Sequence, residues 1–257
     1  KQMKDRFFVW LDQQTGQSLT AMAIIAQLIR LRQISVLPSS INVEYASSDN
    51  LGNPLILDGE MLTYKKALDC NESVKIDEAM DRIEMVTSIP SAVDETISEQ
   101  IVVFCTFNEP MREIQRRCDA QQITCEVISG QNSSREKNRD LEAEFQRGEI
   151  QVLCINSAMG EGLNLQKNPS EWRGGASYGV GLDKWYSPAR NFQCVGRINR
   201  PTAVGYPVIF WWLENANSVD QFINDLLDEK EESFASIMDS DRIRPNGDWK
   251  NYLQERL

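Results

Sequence analysis

The chain has 257 residues, of which 41% are hydrophobic and 25% are charged, the balance of an ordinary globular protein. Its 38 acidic and 27 basic residues give a net charge of −11, so any contact with nucleic acid must come from a local basic patch. The sequence contains no run of eighteen apolar residues, and we therefore expect no membrane span and no membrane partner.

Histidine is absent, and the six cysteines form no CxxC pair. These facts exclude histidine-based catalysis and the usual zinc sites, and we predict no metal ligand in the chain. Most of the cysteines lie in apolar runs, as Cys105 and Cys154 do, which is typical of buried thiols in a reducing compartment. We therefore expect a cytoplasmic or nuclear protein. Because the sequence begins with Lys1, we also expect it to be a piece of a longer polypeptide.

The first predicted element is a helix over residues 17–33, where strong helix formers recur at helical spacing and Pro38 prevents continuation. Residues 39–70 are mixed, with a turn-like run over 50–54, and are interpreted as a hairpin or an irregular insertion. A second helix is predicted over residues 75–86, because one face collects Ile76, Ala79, Met80 and Ile83.

From residue 101 onward, predicted strands and helices alternate. The strands are expected at residues 101–104, 124–128, 151–155, 182–186 and 207–213, and the helices at 110–119, 134–147, 191–199 and 218–238. This alternation predicts an α/β fold in which a parallel sheet carries helices on both faces, preceded by a mainly helical segment. Ligand-binding loops are then expected at the carboxyl ends of the strands.

Three loops at these strand ends carry polar groups. The loop after the third strand contains Gly160-Glu161-Gly162, whose backbone N–H groups could face a phosphate, although an ordinary tight turn explains the spacing as well. The loop after the first strand presents Thr106 and Asn108. The loop after the second strand opens a basic helix, which suits either sugar-phosphate binding or a capped, solvated surface helix.

The run from Gln193 to Arg200 is the most informative segment. It places Arg197 and Arg200 on one predicted helical face, with Gln193 one turn earlier. Arginine meets phosphate oxygens with a rigid fork that is always charged. At a lobe boundary such a pair could reach a neighbour's nucleotide as arginine fingers, whereas an isolated pair is more often matched by carboxylates on a helix surface.

Taken in order, these segments resemble the second RecA-like lobe of superfamily-two helicases, and within it the Swi/Snf-type DNA translocases. Residues 101–107 are similar to the family's motif IV, 157–165 to motif V and 193–200 to motif VI. Tyr186-Ser187-Pro188 stands where the family usually has Trp-Asn-Pro, and Leu31-Arg32-Gln33 resembles a segment ahead of this lobe. The resemblance covers roughly residues 17–38 and 72–232.

This chain departs from the family pattern at three places. Ser157 replaces an arginine that is frequent in motif V, and Asn199 replaces a usual histidine. Residues 167–181 look like an insertion, in which Trp172 and Arg173 could touch DNA by stacking and charge.

The resemblance implies that the intact protein hydrolyses ATP with Mg²⁺ while it moves along DNA. In that scheme Arg197 and Arg200 are catalytic, because they neutralise charge on the γ-phosphate. Nucleotide contacts are implied for Gln193, Gly196, Gly160, Glu161, Gly162 and Asn164. Contacts with DNA phosphates are implied for Thr106, Asn108, Gly130, Ser133, Arg135 and Ser157.

The sequence has no GxxxxGK[ST] loop to cradle the nucleotide phosphates. We therefore expect ATP and Mg²⁺ to be bound mainly by an N-terminal RecA-like lobe that this chain lacks, and we expect the chain alone to be inactive. The predicted domains are a helical connecting segment with an insertion (1–71), the C-terminal RecA-like helicase lobe (72–238) and a tail (239–257). The alternatives are a motor lobe of a restriction-type or viral helicase, and a stand-alone lobe that binds DNA or regulates a partner without catalysis.

Overall fold

The structure is a computed structural model, and it describes residues 21–46, 56–57, 60–61, 63–67, 70–130, 134–157, 162–201, 203 and 206–239. Helix α1 (Ala21–Val36) ends before Pro38, as predicted, while residues 17–20 of the predicted helix lie outside the described ranges. Two antiparallel strand pairs follow: β1 (Asn42–Ala46) with β4 (Thr63–Ala67), and β2 (Ile56–Leu57) with β3 (Glu60–Met61). Of the two interpretations of residues 39–70, the hairpin is therefore the one observed.

A five-stranded parallel sheet forms the centre of the fold, and helix α2 (Val74–Thr87) leads into it. The strands are β5 (Gln100–Cys105), β6 (Cys125–Ile128), β7 (Val152–Asn156), β8 (Ala176–Gly181) and β9 (Ile209–Trp212). Their order across the sheet is β6-β7-β5-β8-β9, with every neighbouring pair parallel. All five carboxyl ends therefore open at one edge, and the predicted α/β fold is confirmed.

Helices cover both faces of this sheet. Helix α2 and helix α3 (Asn108–Ala120) pack on one face, while helix α4 (Arg135–Gln146) and helix α5 (Pro188–Val195) pack on the other. Alternate residues of β5 belong to the two cores: Ile101, Val103 and Cys105 to the first, Val102 and Phe104 to the second. Every residue of β5 is buried, as expected for the middle strand of a sheet that is covered on both sides.

A third core joins helix α1 to the last helix, α6 (Val219–Asp239). Leu28 of α1 packs there against buried residues of α6, which include Val219, Phe222, Ile223 and Leu227. Asp220 adds a polar connection, because its carboxylate accepts from Ser35 Oγ of α1 at 2.7 Å and pairs with Lys75 Nζ of α2 at 2.7 Å. Of the helices that the structure describes, none has the length and apolar character to cross a membrane.

The fourth strand is not where the sequence predicted it. It occupies Ala176–Gly181, whereas residues 182–186 follow it as a loop. Gly179 and Gly181 lower the strand propensity of this segment, but they face aromatic residues of β9 in register. A Cβ atom at Gly179 would lie 2.6 Å from the Phe210 ring, and one at Gly181 would lie 2.2 Å from the Trp212 ring. The glycines thus leave the space that these two rings fill.

Residues 167–181 are also not an insertion, since they hold β8 and the loop that leads into it. Gly175 N–H donates to the side chain of Gln100, the first residue of β5, at 2.7 Å, and Arg173 pairs with Asp94 at 2.5 Å. The loop therefore lies at the amino edge of the sheet, opposite the strand carboxyl ends. This position separates Trp172 and Arg173 from the other predicted DNA contacts.

Lys167 anchors the start of this loop inside the protein. It is 1% exposed and its Nζ lies 2.6 Å from Glu99 Oε1 and 3.2 Å from Ser91 Oγ. Its ammonium also lies 5.5 Å from the centre of the Tyr206 ring. The same Glu99 oxygen accepts the backbone N–H of Ala92 at 2.9 Å. This buried ion pair connects the loop to the segment that precedes β5.

Candidate functional site

The carboxyl ends of β5 and β7 lie side by side and bring three predicted DNA contacts together. Cys105 is in register with Asn156, so Thr106 and Ser157 follow at neighbouring positions. The Asn156 side-chain amide donates to the Thr106 carbonyl at 2.9 Å and to Asn108 Oδ1 at 3.1 Å. Thr106, Asn108 and Ser157 are all half-buried, and together they form what we call the strand-end rim.

An arginine from outside the sheet holds this rim in place. Arg32 of α1 is 2% exposed, and its Nη2 donates to one carboxylate oxygen of Asp183 and to Thr106 Oγ1 at 3.2 Å. The other oxygen of Asp183 accepts the Thr106 backbone N–H at 2.8 Å. The guanidinium also lies over the rings of Phe107 and Tyr186, at 5.5 and 4.9 Å from their centres. A charge-assisted hydrogen bond and two ring contacts thus fix the loop after β5.

Ser157 of the rim and Arg197 both influence the ionisation of Cys194 on helix α5. Burial raises the pKa of the Cys194 thiol to about 11, while a hydrogen bond from the Ser157 side chain and the charge of Arg197 act in the opposite direction. One residue of the predicted DNA-binding set and one of the predicted catalytic pair therefore act on the same thiol of α5.

Part of the predicted glycine loop is visible. Gly160 and Glu161 lie outside the described ranges, and Gly162 is exposed with a φ of +88°, a left-handed conformation that favours glycine. The Asn164 backbone N–H donates to Glu142 Oε1 at 2.6 Å, and its carbonyl accepts a side-chain amide of α4 at 2.9 Å. The end of the loop is therefore anchored on α4.

The sequence predicted that the two arginines share one helical face. In the structure both arginines lie beyond the end of helix α5. The helix ends two residues before Arg197, and Arg200 precedes Pro201, which disfavours the helical conformation in the residue before it. Arg200 Nη2 donates to the Leu163 carbonyl at 3.3 Å, and its Nε is buried with no hydrogen-bond partner among the described residues. The Arg197 carbonyl accepts the Leu165 N–H at 3.1 Å. These bonds join the arginine segment to the glycine loop.

The other predicted contacts that the structure describes lie in the turn after β6 and on or next to helices α4 and α5. Gly130 is exposed in the turn after β6, and Arg135 is exposed as the first residue of α4. Both share the carboxyl edge of the sheet, but β7 separates them from the loop after β5. Gln193 is exposed on α5, and Gly196 caps the end of that helix. Ser133 lies outside the part of the chain that the structure describes.

Sequence reasoning missed the side chains that organise the rim, namely Arg32, Asp183 and Asn156. The sequence does carry signals for two of them. Arg32 is a charged residue beside Leu31 on a predicted helix, and Asp183 follows directly after the apolar run that ends at Leu182. Placing the fourth strand at residues 182–186 hides the second signal, because it puts Asp183 inside a strand.

Residues 81–202 match the family described as the helicase conserved C-terminal domain. The matched range contains the strand-end rim, the glycine loop and both arginines. This part of the chain is similar to that domain family. This match confirms the predicted resemblance to the C-terminal lobe of a helicase.

The chain is also similar to the uncharacterized ATP-dependent helicase YqhH of Bacillus subtilis (strain 168), with 26% identity over 189 residues that cover 69% of this chain and 32% of YqhH. In fold it resembles the Sulfolobus solfataricus SWI2/SNF2 ATPase core, solved in complex with dsDNA, with a TM-score of 0.59, 18% identity and coverage of 91% of this chain and 41% of that one. The C-terminal part of the Fun30 ATPase domain gives a TM-score of 0.50 at 16% identity, covering 74% of this chain and 56% of that one. The chain thus spans about a third of the length of YqhH.

Proposed function

We propose that this chain is the second motor lobe of an ATP-dependent DNA translocase or helicase. In this proposal Arg197 and Arg200 reach an ATP molecule that is bound mainly, with Mg²⁺, by a first RecA-like lobe. The strand-end rim and the segment around Gly130 and Arg135 bind DNA phosphates. The match to the helicase C-terminal domain, the ATP-dependent helicase relative and the absence of a GxxxxGK[ST] loop from the sequence support this division of labour.

The observation that carries the proposal is the environment of Arg200. Its Nη2 contacts the glycine loop through Leu163, and its Nε is buried with no hydrogen-bond partner in the described structure. An unpaired buried donor on a charged group is costly, and an anion beside it would remove that cost. A triphosphate from the facing lobe fits this requirement. When ATP is bound, the guanidinium would stabilise the negative charge that develops on the γ-phosphate during hydrolysis.

The contacts of the domain also supply a route from nucleotide to DNA. The arginine segment is hydrogen-bonded to the glycine loop through Leu163 and Leu165, and the side chain of Ser157 in the rim influences the pKa of Cys194 on α5. Movement of the arginines when the lobes close would therefore be transmitted to the DNA-binding residues. Repeated closing and opening would then advance the protein along DNA. Because only phosphates are contacted, the affinity should depend on salt and not on base sequence.

The test is the DNA-stimulated ATPase activity of the full-length protein with Arg197→Ala or Arg200→Ala. We expect a loss of roughly 10³-fold in turnover, the lower end of what arginine fingers contribute, with DNA affinity retained. Arg173→Ala at the opposite edge of the sheet is the matched control and should leave turnover unchanged. If turnover survives both finger substitutions, the assignment is wrong and a non-catalytic DNA-binding or regulatory lobe becomes the better reading.

We also place the protein in a reducing compartment, the cytoplasm or the nucleus. All six cysteines are free, and five of them are buried. Six free thiols are uncommon in proteins of oxidising compartments, where cysteines usually form disulfides.

A further inference from the structure

Arg32 lies where it can control the chemistry of the Thr106 hydroxyl. The guanidinium has donors only, so in the contact of 3.2 Å between Arg32 Nη2 and Thr106 Oγ1 the hydroxyl oxygen is the acceptor. A hydroxyl carries one proton, and the positive charge of Arg32 repels it. The O–H bond of Thr106 must therefore be directed away from Arg32. Thr106 is half-buried, so this donor is oriented at a partly open edge of the sheet.

The surroundings of Arg32 hold its guanidinium in the position from which it donates to the Thr106 hydroxyl. Nη2 also donates to Asp183 and to the Lys184 carbonyl at 2.7 Å, and two aromatic rings lie beside the guanidinium. Asp183 in turn accepts the Thr106 backbone N–H at 2.8 Å. One buried carboxylate thus fixes both the arginine and the backbone of the residue that the arginine orients.

We propose that Arg32 is a positioning residue that sets the Thr106 hydroxyl as a hydrogen-bond donor to a DNA phosphate. Phosphate oxygens only accept hydrogen bonds, so a threonine whose proton already pointed to a carboxylate would be useless to them. This inference rests on the proposed DNA contact of Thr106. It adds a residue of α1, outside the sheet, to the DNA-binding machinery without direct contact between that residue and DNA.

A double-mutant cycle in the full-length protein tests this role, with the affinity for a fluorescently labelled DNA duplex at fixed salt as the readout. Thr106→Val removes the hydroxyl at nearly constant shape and should weaken binding about tenfold, the worth of one charge-assisted hydrogen bond. Arg32→Gln should weaken binding by a similar factor. In the Thr106→Val background Arg32→Gln should cause little further loss, because its effect passes through the hydroxyl. Arg30→Lys, an exposed neighbour on the same helix, is the control and should bind like the wild type.

The outcomes separate this role from a purely structural one. If Arg32→Gln weakens DNA binding by the same factor in both backgrounds, Arg32 only stabilises the fold and the inference is overturned. If Thr106→Val binds DNA as tightly as the wild type, the DNA contact of Thr106 itself is wrong, whereas the ATPase test of Arg197 and Arg200 stands independently. Should Arg32→Gln fail to fold, Arg32→Lys enters the same cycle. Lysine keeps the cationic donor, so it should restore at least part of the affinity only if the polarity of the hydroxyl matters.

Discussion

Replacing Lys167 with methionine should be among the most damaging single changes in the domain. The methionine keeps the apolar stem but removes the ammonium that lies 2.6 Å from Glu99 Oε1. Glu99 is 5% exposed, and its Oε2 already has no hydrogen-bond partner among the described residues. Lys167→Met therefore leaves a buried carboxylate without its counter-charge, with the Ala92 N–H still bonded to it.

The expected cost is about 3–5 kcal/mol, the range for breaking a buried ion pair from one side. For a domain of this size that corresponds to a fall in Tm on the order of 10 °C. Urea unfolding followed by circular dichroism measures it as a lower midpoint with an unchanged slope. The double substitution Glu99→Gln with Lys167→Met should recover most of the loss, because the remaining amide is neutral.

Arg147→Met is the matched control for this experiment. It removes an ion pair of similar length, 2.7 Å to Glu149, whose side chains are 55% and 54% exposed. Such surface pairs contribute about 0–1 kcal/mol. The reasoning fails if Lys167→Met costs no more than this control, or if neutralising Glu99 in the same protein restores nothing.

Three further outcomes follow from the packing. Of the six thiols, only that of half-buried Cys70 should react rapidly with a thiol reagent in the native protein, while all six should react after denaturation. Rapid reaction of two or more thiols in the native protein would contradict the burial pattern. The raised pKa of Cys194, about 11 against 9.0, means that its contribution to stability is present below pH 9 and is lost as the pH rises through 11. Wild-type protein should therefore lose roughly 1 kcal/mol per pH unit in this window relative to Cys194→Ala, as measured by urea midpoints, and parallel curves would refute it. Gly181→Ala should cost about 1–3 kcal/mol by thermal unfolding because its Cβ would lie 2.2 Å from the Trp212 ring, and Gly181→Ala with Trp212→Leu should recover part of that loss.

The parts of the fold that sequence reasoning predicted are those with a strong periodic signal. The apolar run of β5 and the helical spacing of α2 and α6 are read directly from residue order, and the structure confirms them. The position of strand β8 was not predicted, because its two glycines are explained only by the rings of β9 that lie across them. That contact joins segments about thirty residues apart. Local propensity contains no information on such a contact.

The candidate site divides in the same way. The loops with Thr106, Ser157 and the two arginines could be located from motif order, since motifs record which residues follow each strand. Arg200 leaves the predicted helix because of the adjacent Pro201, a local signal that the spacing argument overlooked. Arg32 and Asp183 could not be paired from sequence, because they lie 151 positions apart and meet only when α1 packs on the folded sheet.

The attachment of α1 has a practical consequence for the choice of boundaries in recombinant work. A fragment that begins at residue 72 would match the predicted lobe, yet it would lack both Arg32 and Ser35. Asp183 would then be buried without its arginine, and Asp220 would lose one of its donors. The loss of Leu28 would also expose the apolar side of α6 to solvent. We expect such a shortened fragment to express as an aggregation-prone protein, and a fragment that starts ahead of Ala21 to be the smallest one worth purifying.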